Sequence, residues 1–433
     1  MFTTGKNLLN LTLESGKTLL IDGPAAVMIK SGKATVFGCP VNSGQRTVIR
    51  EGKRAAFEVE VTASFEIFAG EHASAETYDG KTMPVAWSQI METLLKAEKP
   101  PFLTLVIGGT DTGKTSLCTY LANRLICLGK RVAVIDGDIG QSDIGPPCTV
   151  AYCIPSRPTV DLFELKLENA FFVGATSPSE NPSLTIEGLQ RMKNEVSEKS
   201  VEYILVNTDG WVIGDEGFAY KRRVIQQLKP DLILCLQRED ELKPLLETLG
   251  CFSRVSLNSP VTVMPRDKDK RRSHRTLGYL KHLTGAKIRI WYLSEVSVDD
   301  CMFGLGQKPS PNISRIIHET LGIKPVHASE SLNTAFIIIE KDKKIDQSLT
   351  GKLEENIKKK VNIAREGDES GLLTGLYNAD MKFLGIGILR SVNYSRRILK
   401  IFTPVSKKPY KIVLGRTWLD EGFKENKKTI LHA

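Results

Sequence analysis

The stretch FLTLVIGGTDTGKTS, Phe102 to Ser116, decides how this 433-residue chain is read. Phe102 to Ile107 is a short apolar run with the look of a buried strand. Gly108-Gly109-Thr110-Asp111-Thr112-Gly113-Lys114-Thr115 then fits G-x-x-x-x-G-K-[ST], a loop whose successive backbone N–H groups wrap a phosphate in conformations that a Cβ would obstruct. Leu117, Leu121, Leu125 and Leu128 recur at helical spacing until Gly129 ends the helix, so strand, loop and helix follow in the order that phosphate binding requires. Average residue usage would give the motif by accident in about one or two per cent of chains this long. The loop therefore predicts a nucleoside triphosphate site built from residues 108 to 116, with Lys114 on the β and γ phosphates and the Thr115 hydroxyl on Mg²⁺.

Outward from the loop, apolar strands alternate with helical segments from Phe102 to about Gly285: FLTLVI, VAVID, YILVN, LILCLQ and RVSLN, with helices near 115–128, 185–198, 218–228 and 239–249. Such alternation predicts an α/β domain with a mostly parallel sheet covered on both faces. From Leu8 to Gly70, short segments such as TLLI, AVMI, RTVIR and AAFEVEV are punctuated by glycine, which predicts an antiparallel sandwich. A helix around Val85 to Lys96 precedes Pro100-Pro101. Strands return after Lys287, around a charged helical insertion, KLEENIKKK. The domains expected are residues 1–72 (β-sandwich), 73–285 (phosphate-loop domain) and 286–433 (β-rich).

The second strand of the α/β domain ends in Asp136-Gly137-Asp138-Ile139-Gly140-Gln141, at the carboxyl edge where open parallel sheets bind ligands. Asp136, beside Thr115, is placed to hold Mg²⁺; Asp138, farther out, is placed to accept a proton from an incoming hydroxyl. Gln141 is suited to substrate contacts. No N-K-x-D follows a later strand, so guanine specificity has no support. The third strand ends instead in Asn207-Thr208-Asp209-Gly210-Trp211, and an indole there reads either as a packing residue or as a stacking platform for a nucleobase. Arg266 to Arg275 holds six basic and two acidic side chains, a local charge of +4. It reads as a lid over phosphate or as a solvated segment, with His274 on its surface.

The composition, 41% hydrophobic and 25% charged, is that of an ordinary globular protein with two or three domains. Eight cysteines include no C-x-x-C pair. Cys118, Cys127 and Cys235 fall inside apolar patterns, as buried thiols of a reducing compartment do, and no zinc site is expected. No apolar run reaches the roughly 18 residues of a spanning helix, and the start of the chain lacks a signal-peptide pattern; a cytoplasmic protein without membrane contact is expected. A net charge of +9 is compatible with a polyanionic partner, and the basic Lys407-Lys408, Lys424 and Lys427-Lys428 near the end read as solvated.

Taken in order, GGTDTGKT, DGDIGQSDIGPP, GATSPSEN (174–181), NTDGWVIG and the arginine cluster resemble the polynucleotide 5′-hydroxyl kinases related to the Clp and Grc proteins of RNA processing, in an archaeal form. The resemblance covers essentially the whole chain, since that family flanks its kinase domain with β domains at both ends. It implies ATP-dependent phosphorylation of the 5′-hydroxyl of RNA, with DNA as a further acceptor. Carried over, it makes Lys114 and Thr115 ligands of triphosphate and Mg²⁺, and Asp138 the general base. Trp211 becomes the base-stacking residue, Thr176-Ser177-Pro178 a clasp near the acceptor, and Arg272 with Arg275 the lid arginines, Arg271 adding a substrate contact. Two alternatives compete: a switch ATPase of the partitioning or metal-delivery type, which often carries a second lysine early in the loop, and an ATP-binding scaffold of RNA processing that transfers nothing.

Overall fold

The computed structural model describes residues 7–299, 308–343, 345–346, 348–426 and 431–432; Lys427 and Lys428 lie outside them. The chain divides into two compact units, Met1–Gly278 and Tyr279–Ala433.

The first unit opens with seven antiparallel strands: β1 (Asn7–Leu13), β2 (Lys17–Asp22), β3 (Ala25–Val36), β4 (Cys39–Val41), β5 (Arg46–Ile49), β6 (Arg54–Ala69) and β7 (Ser74–Asp79). They form one sheet, not two. β3 pairs with β6 along almost its whole length, with register shifts between Ile29 and Ala34; β6 pairs with β2 over its first part and with β1 over its second. Phe57 and Val59 from the first half of β6 and Phe65 and Ile67 from the second enter a single core with Leu19, Ile21, Val27 and Ile29. The expected sandwich is thus a continuous sheet folded over at its irregular register, where bulges sharpen the bend.

Helix α1 (Val85–Leu95) buries Trp87, Ile90, Met91 and Leu94 and leads to the α/β portion. This runs β8 (Phe102–Gly108), α2 (Lys114–Cys127), β9 (Val132–Gly137), β10 (Thr149–Cys153), β11 (Asn169–Phe172), α3 (Pro182–Ser197), β12 (Tyr203–Thr208), α4 (Gly214–Leu228), β13 (Leu232–Gln237), α5 (Lys243–Glu247), β14 (Arg254–Asn258) and α6 (Lys268–Leu283). The strand order is β11-β10-β9-β12-β8-β13-β14. Five strands are parallel, and β10 and β11 add an antiparallel edge that the sequence pattern did not suggest. Residues of β8, β12 and β13 are buried nearly throughout, as a sheet covered on both faces requires. Cys118 and Cys235 are buried, but Cys127, at the last position of α2, is exposed; the apolar pattern had placed it inside.

The second unit contains an antiparallel sheet built on Lys287–Tyr292, Ile398–Thr403, Phe383–Asn393, Leu372–Tyr377 and Lys411–Leu419, which Ser297–Asp299 joins in parallel. A mixed four-stranded sheet is centred on Thr334–Ile339 and Lys360–Arg365, with helices Pro311–Leu321 and Ser348–Ile357 packed in its core. The second helix begins the charged insertion read from the sequence. Among the described residues, no helix is long and apolar enough to cross a membrane.

Candidate active site

β8 occupies the middle of the parallel sheet, so the loop it feeds emerges beside the carboxyl ends of β12 and β13. Gly113 caps α2 in a left-handed conformation, φ 96°, and leaves the free N–H groups of the helix start facing the loop, where an anion is favoured. The Lys114 ammonium is buried and donates to the Gly109 carbonyl at 2.6 Å. Burial lowers its pKa to about 8, the Asp138 carboxylate opposing the shift.

Asp136, the penultimate residue of β9, is 1% exposed. Its Oδ1 accepts from the Asp138 N–H and the Asn207 Nδ2, and its Oδ2 from the Asp143 and Ile144 N–H groups and the Ser142 hydroxyl. Burial, with Asp143 and Asp138 nearby, raises its pKa to about 6. Asn207 also donates to the Thr115 hydroxyl at 3.3 Å, joining the two Mg²⁺-ligand candidates, while its own buried Oδ1 has no protein partner. A hydroxyl, a carboxylate and an unsatisfied carbonyl oxygen suit a hard cation that keeps several waters and completes its shell with phosphate. Mg²⁺ fits this set without a cage of acidic side chains.

Asp138 Oδ1 accepts from the backbone N–H groups of Gly140 and Gln141, which fixes the turn. Burial raises its pKa, Lys114 opposing. A Cβ at Gly140 would lie 2.5 Å from the Thr176 carbonyl oxygen, so this glycine lets the Thr176-Ser177 segment press against the Asp138 turn. Ser177 caps the short 3₁₀ turn Pro178–Glu180.

A cleft of about 340 Å³ opens over the loop. Thr110 to Ser116, Asp138 and Gln141 line its floor; Arg266, Lys270 and Arg271 line one side; Leu20 and Ala56 of the N-terminal sheet, with Phe37 from the β3–β4 turn and Met83 from the segment before α1, form an apolar wall, and Asp22 and Arg54 are paired at 2.6 Å beside them. The Asp111 carboxylate bridges the loop and the basic segment 266–275, accepting from the Arg266 N–H and Nε and from an Arg271 guanidinium nitrogen at 2.8–3.0 Å. These bonds outweigh its burial and hold its pKa below the usual carboxylate value.

A family model described as the P-loop of mRNA cleavage and polyadenylation factor CLP1 matches residues 108–285. A polyribonucleotide 5′-hydroxyl-kinase of Pyrococcus furiosus is 31% identical over 312 residues, spanning 71% of this chain and 84% of the relative. The chain belongs to the Clp1-type polyribonucleotide 5′-hydroxyl-kinase family. A kinase of the same description from Methanocaldococcus jannaschii is 28% identical over 336 residues, 76% of this chain and 91% of the relative. The Clp1 chain of a solved complex of wild-type Clp1p with Pcf11p superimposes with a TM-score of 0.66, covering 96% of this chain and 98% of that one at 15% identity; this shows the shared fold.

In this Clp1-type chain, the loop residues from Thr110 onward, with Lys114, Thr115, Ser116, Asp138, Gln141 and Arg271, line one cleft, and Asn207 ties Asp136 to its floor. Gly108 and Gly109 form the strand end and turn that lead into it. Arg272 is exposed and Arg275 half-buried; neither is among the residues lining the cleft. Trp211 is half-buried, with its ring stacked on Tyr220 at 5.2 Å. His274, read as a surface residue, is 2% exposed and sits 3.0 Å from Asp143. It faces inward because Asp143 gathers Arg50 and Lys53 from the connection between β5 and β6 as well, a cluster in which the imidazole adds a further hydrogen bond with the carboxylate. Burial accordingly lowers the His274 pKa. Sequence reasoning also passed over Asn207 and Lys221. Gly217, Tyr220, Lys221, Val224, Ile225 and Leu228 are all buried on α4, and a lysine at helical spacing within that apolar set was the available signal.

Proposed function

We propose that this chain transfers the γ-phosphoryl group of ATP to the 5′-hydroxyl of RNA, with DNA as a further acceptor. What carries the reading is the convergence on one cleft of a triphosphate loop with Lys114, a separate carboxylate, Asp138, and the cationic side chains of Arg266, Lys270 and Arg271. A switch ATPase of the partitioning type carries a similar carboxylate pair, but it needs neither the tryptophan after β12 nor an arginine cluster beside the loop, and here Arg266 and Arg271 line the cleft. The names of the relatives agree with a polyribonucleotide acceptor.

In this reading the apolar wall of the cleft receives the base of ATP, and Lys114 and the α2 N-terminus hold its phosphates. Thr115 and Asp136 would hold Mg²⁺, which supplies charge neutralisation on the phosphoryl oxygens. Asp138 takes the proton of the acceptor hydroxyl as its oxygen attacks the γ-phosphorus, the bond from that phosphorus to the β–γ bridging oxygen breaks and ADP leaves, and the lid cations stabilise charge on the group in transit. Free cysteines throughout the described residues suit a reducing, cytoplasmic setting. The test is incubation with labelled ATP and Mg²⁺, with and without EDTA, and with 5′-hydroxyl and 5′-phosphate oligonucleotides of RNA and DNA. Mg²⁺-dependent label on the 5′-hydroxyl oligonucleotides alone is expected; ATP hydrolysis with no labelled oligonucleotide would assign the chain to the switch or scaffold class.

The resemblance favours Arg272 and Arg275 as lid arginines, whereas the cleft is lined by Arg266 and Arg271. We assign the transfer to the cleft face of α6. Arg271→Ala is expected to lower kcat by about tenfold or more, as loss of a transition-state donor does, and Arg272→Ala by less than about threefold. The reverse order in steady-state kinetics would return the role to the outer face.

Trp211 is proposed as the platform for the acceptor's terminal base, stacked from behind by Tyr220. Trp211→Ala should then raise KM for the oligonucleotide by the equivalent of roughly 1–3 kcal/mol per stacked base, with ATP affinity unchanged and with Trp211→Phe rescuing most of the loss. A residue that only packs would instead cost about 3–5 kcal/mol of stability on truncation, seen as a large fall in Tm with normal acceptor KM in the folded fraction.

A further inference from the structure

Lys221 is 0% exposed, a charged side chain sealed inside the α/β core at a position no step above employs. Its ammonium donates to the Asp209 backbone carbonyl at 2.8 Å and lies 2.9 Å from Asp209 Oδ2. The same carboxylate accepts from the Tyr220 hydroxyl at 2.9 Å, and its Oδ1 accepts from the Trp211 N–H at 2.9 Å. Every bond of this set converges on the three-residue turn that follows β12. The turn touches both halves of the proposed reaction. On one side, a Cβ at Gly210 would stand 2.7 Å from the Thr110 backbone nitrogen, so only a glycine lets the turn press against the phosphate loop. On the other, Trp211 lies on Tyr220.

We propose that Lys221 is a positioning residue that clamps Asp209 and thereby sets the Asp209–Trp211 turn, fixing the acceptor platform relative to the phosphate loop. This rests on the reading of Trp211 as that platform. A buried ammonium is costly and is retained where its partner would otherwise be a bare carboxylate; here burial lowers the Lys221 pKa while Asp209 opposes the shift. An apolar residue in place of Lys221 would suit the α4 face better if filling the core were its task, since its neighbours Val224, Ile225 and Leu228 are aliphatic.

The test uses the full-length chain carrying K221M, D209N or both. Each single substitution is expected to raise acceptor KM about five- to tenfold, and the double should be no worse than either single, because all three remove one interaction. In the free protein, the Trp211 contribution to fluorescence, taken as the difference from the matching Trp211→Phe chain, should shift to the red as the indole leaves Tyr220. A core residue would lower Tm without moving that contribution. Wild-type acceptor KM and wild-type Trp211 emission in folded K221M would overturn the proposal, as would single effects that multiply in the double. If K221M does not fold, D209N, which keeps the size of the side chain, carries the same two readouts and can overturn it alone. If the wild-type chain labels no oligonucleotide, the proposed function falls, and the clamp is judged by the free-protein emission, which does not depend on transfer.

Discussion

Asp138→Asn is expected to bind ATP with close to wild-type affinity and to lose about 10²–10⁴-fold in transfer rate, the usual cost of removing a general base. The substitution isolates the proton transfer because the rest of the turn survives it. Asp138 Oδ1 accepts from the N–H groups of Gly140 and Gln141, and the amide oxygen of asparagine accepts both. Gly140 still meets the Thr176 carbonyl, so the Thr176-Ser177 segment keeps its place against the turn. What is lost is a carboxylate whose burial raises its pKa and so brings it nearer to the pH at which a base is efficient. Asp136 is a poor substitute, since it is 1% exposed and is not among the residues lining the cleft, whereas Asp138 is. Single-turnover transfer, with ATP affinity measured separately, checks the expectation; transfer near the wild-type rate would remove Asp138 from the chemistry.

The sequence disclosed whatever is local in the chain. The phosphate loop, its strand and its helix lie within Phe102 to Leu128, and the paired carboxylates follow at a strand end, so spacing alone located the floor of the cleft. The edge strands Thr149–Cys153 and Asn169–Phe172 were missed because no α-helix separates them from β9, so they fall outside the strand–helix alternation that marked the others. The wall of the cleft was illegible for another reason. Arg54 and Asp22 come from hairpins of the N-terminal sheet, and Arg50 reaches Asp143 across 93 positions of sequence. No periodicity encodes a contact of that span. His274 was misjudged because a basic, polar segment looks solvated until its helix is known to turn Arg271, His274 and Gly278 towards Asp111, Asp143 and Pro147. Lys221 differs again: its apolar surroundings were present in the helical pattern, and its charge hid their meaning.

Lys114→Met should abolish both transfer and the thermal stabilisation given by ATP, while leaving the nucleotide-free protein as stable as the wild type or more so. The two effects share one cause. The ammonium is buried with the Gly109 carbonyl as its hydrogen-bond acceptor at 2.6 Å. Desolvation lowers its pKa to about 8, and the nearby Lys221 adds to that cost while Asp138, Asp209 and Asp111 offset part of it. A cation in that state is an expense of the free protein that a triphosphate would recover. Methionine fills the same channel with an uncharged stem, so the free chain sheds the desolvation cost, as sites built for binding commonly do when disarmed. ATP then meets a loop without its cation, and transfer should fall by at least about 10²–10³-fold, as when a charge-stabilising donor is removed. Melting curves with and without Mg²⁺ and ATP, beside the labelled-oligonucleotide assay, read both effects. A Lys114→Met chain that melts well below the wild type without nucleotide would show that the ammonium is structural, and one that ATP still stabilises would place the triphosphate elsewhere. The predicted pair, equal or higher Tm without nucleotide and no response to it, is the signature of a lysine held in reserve for phosphate.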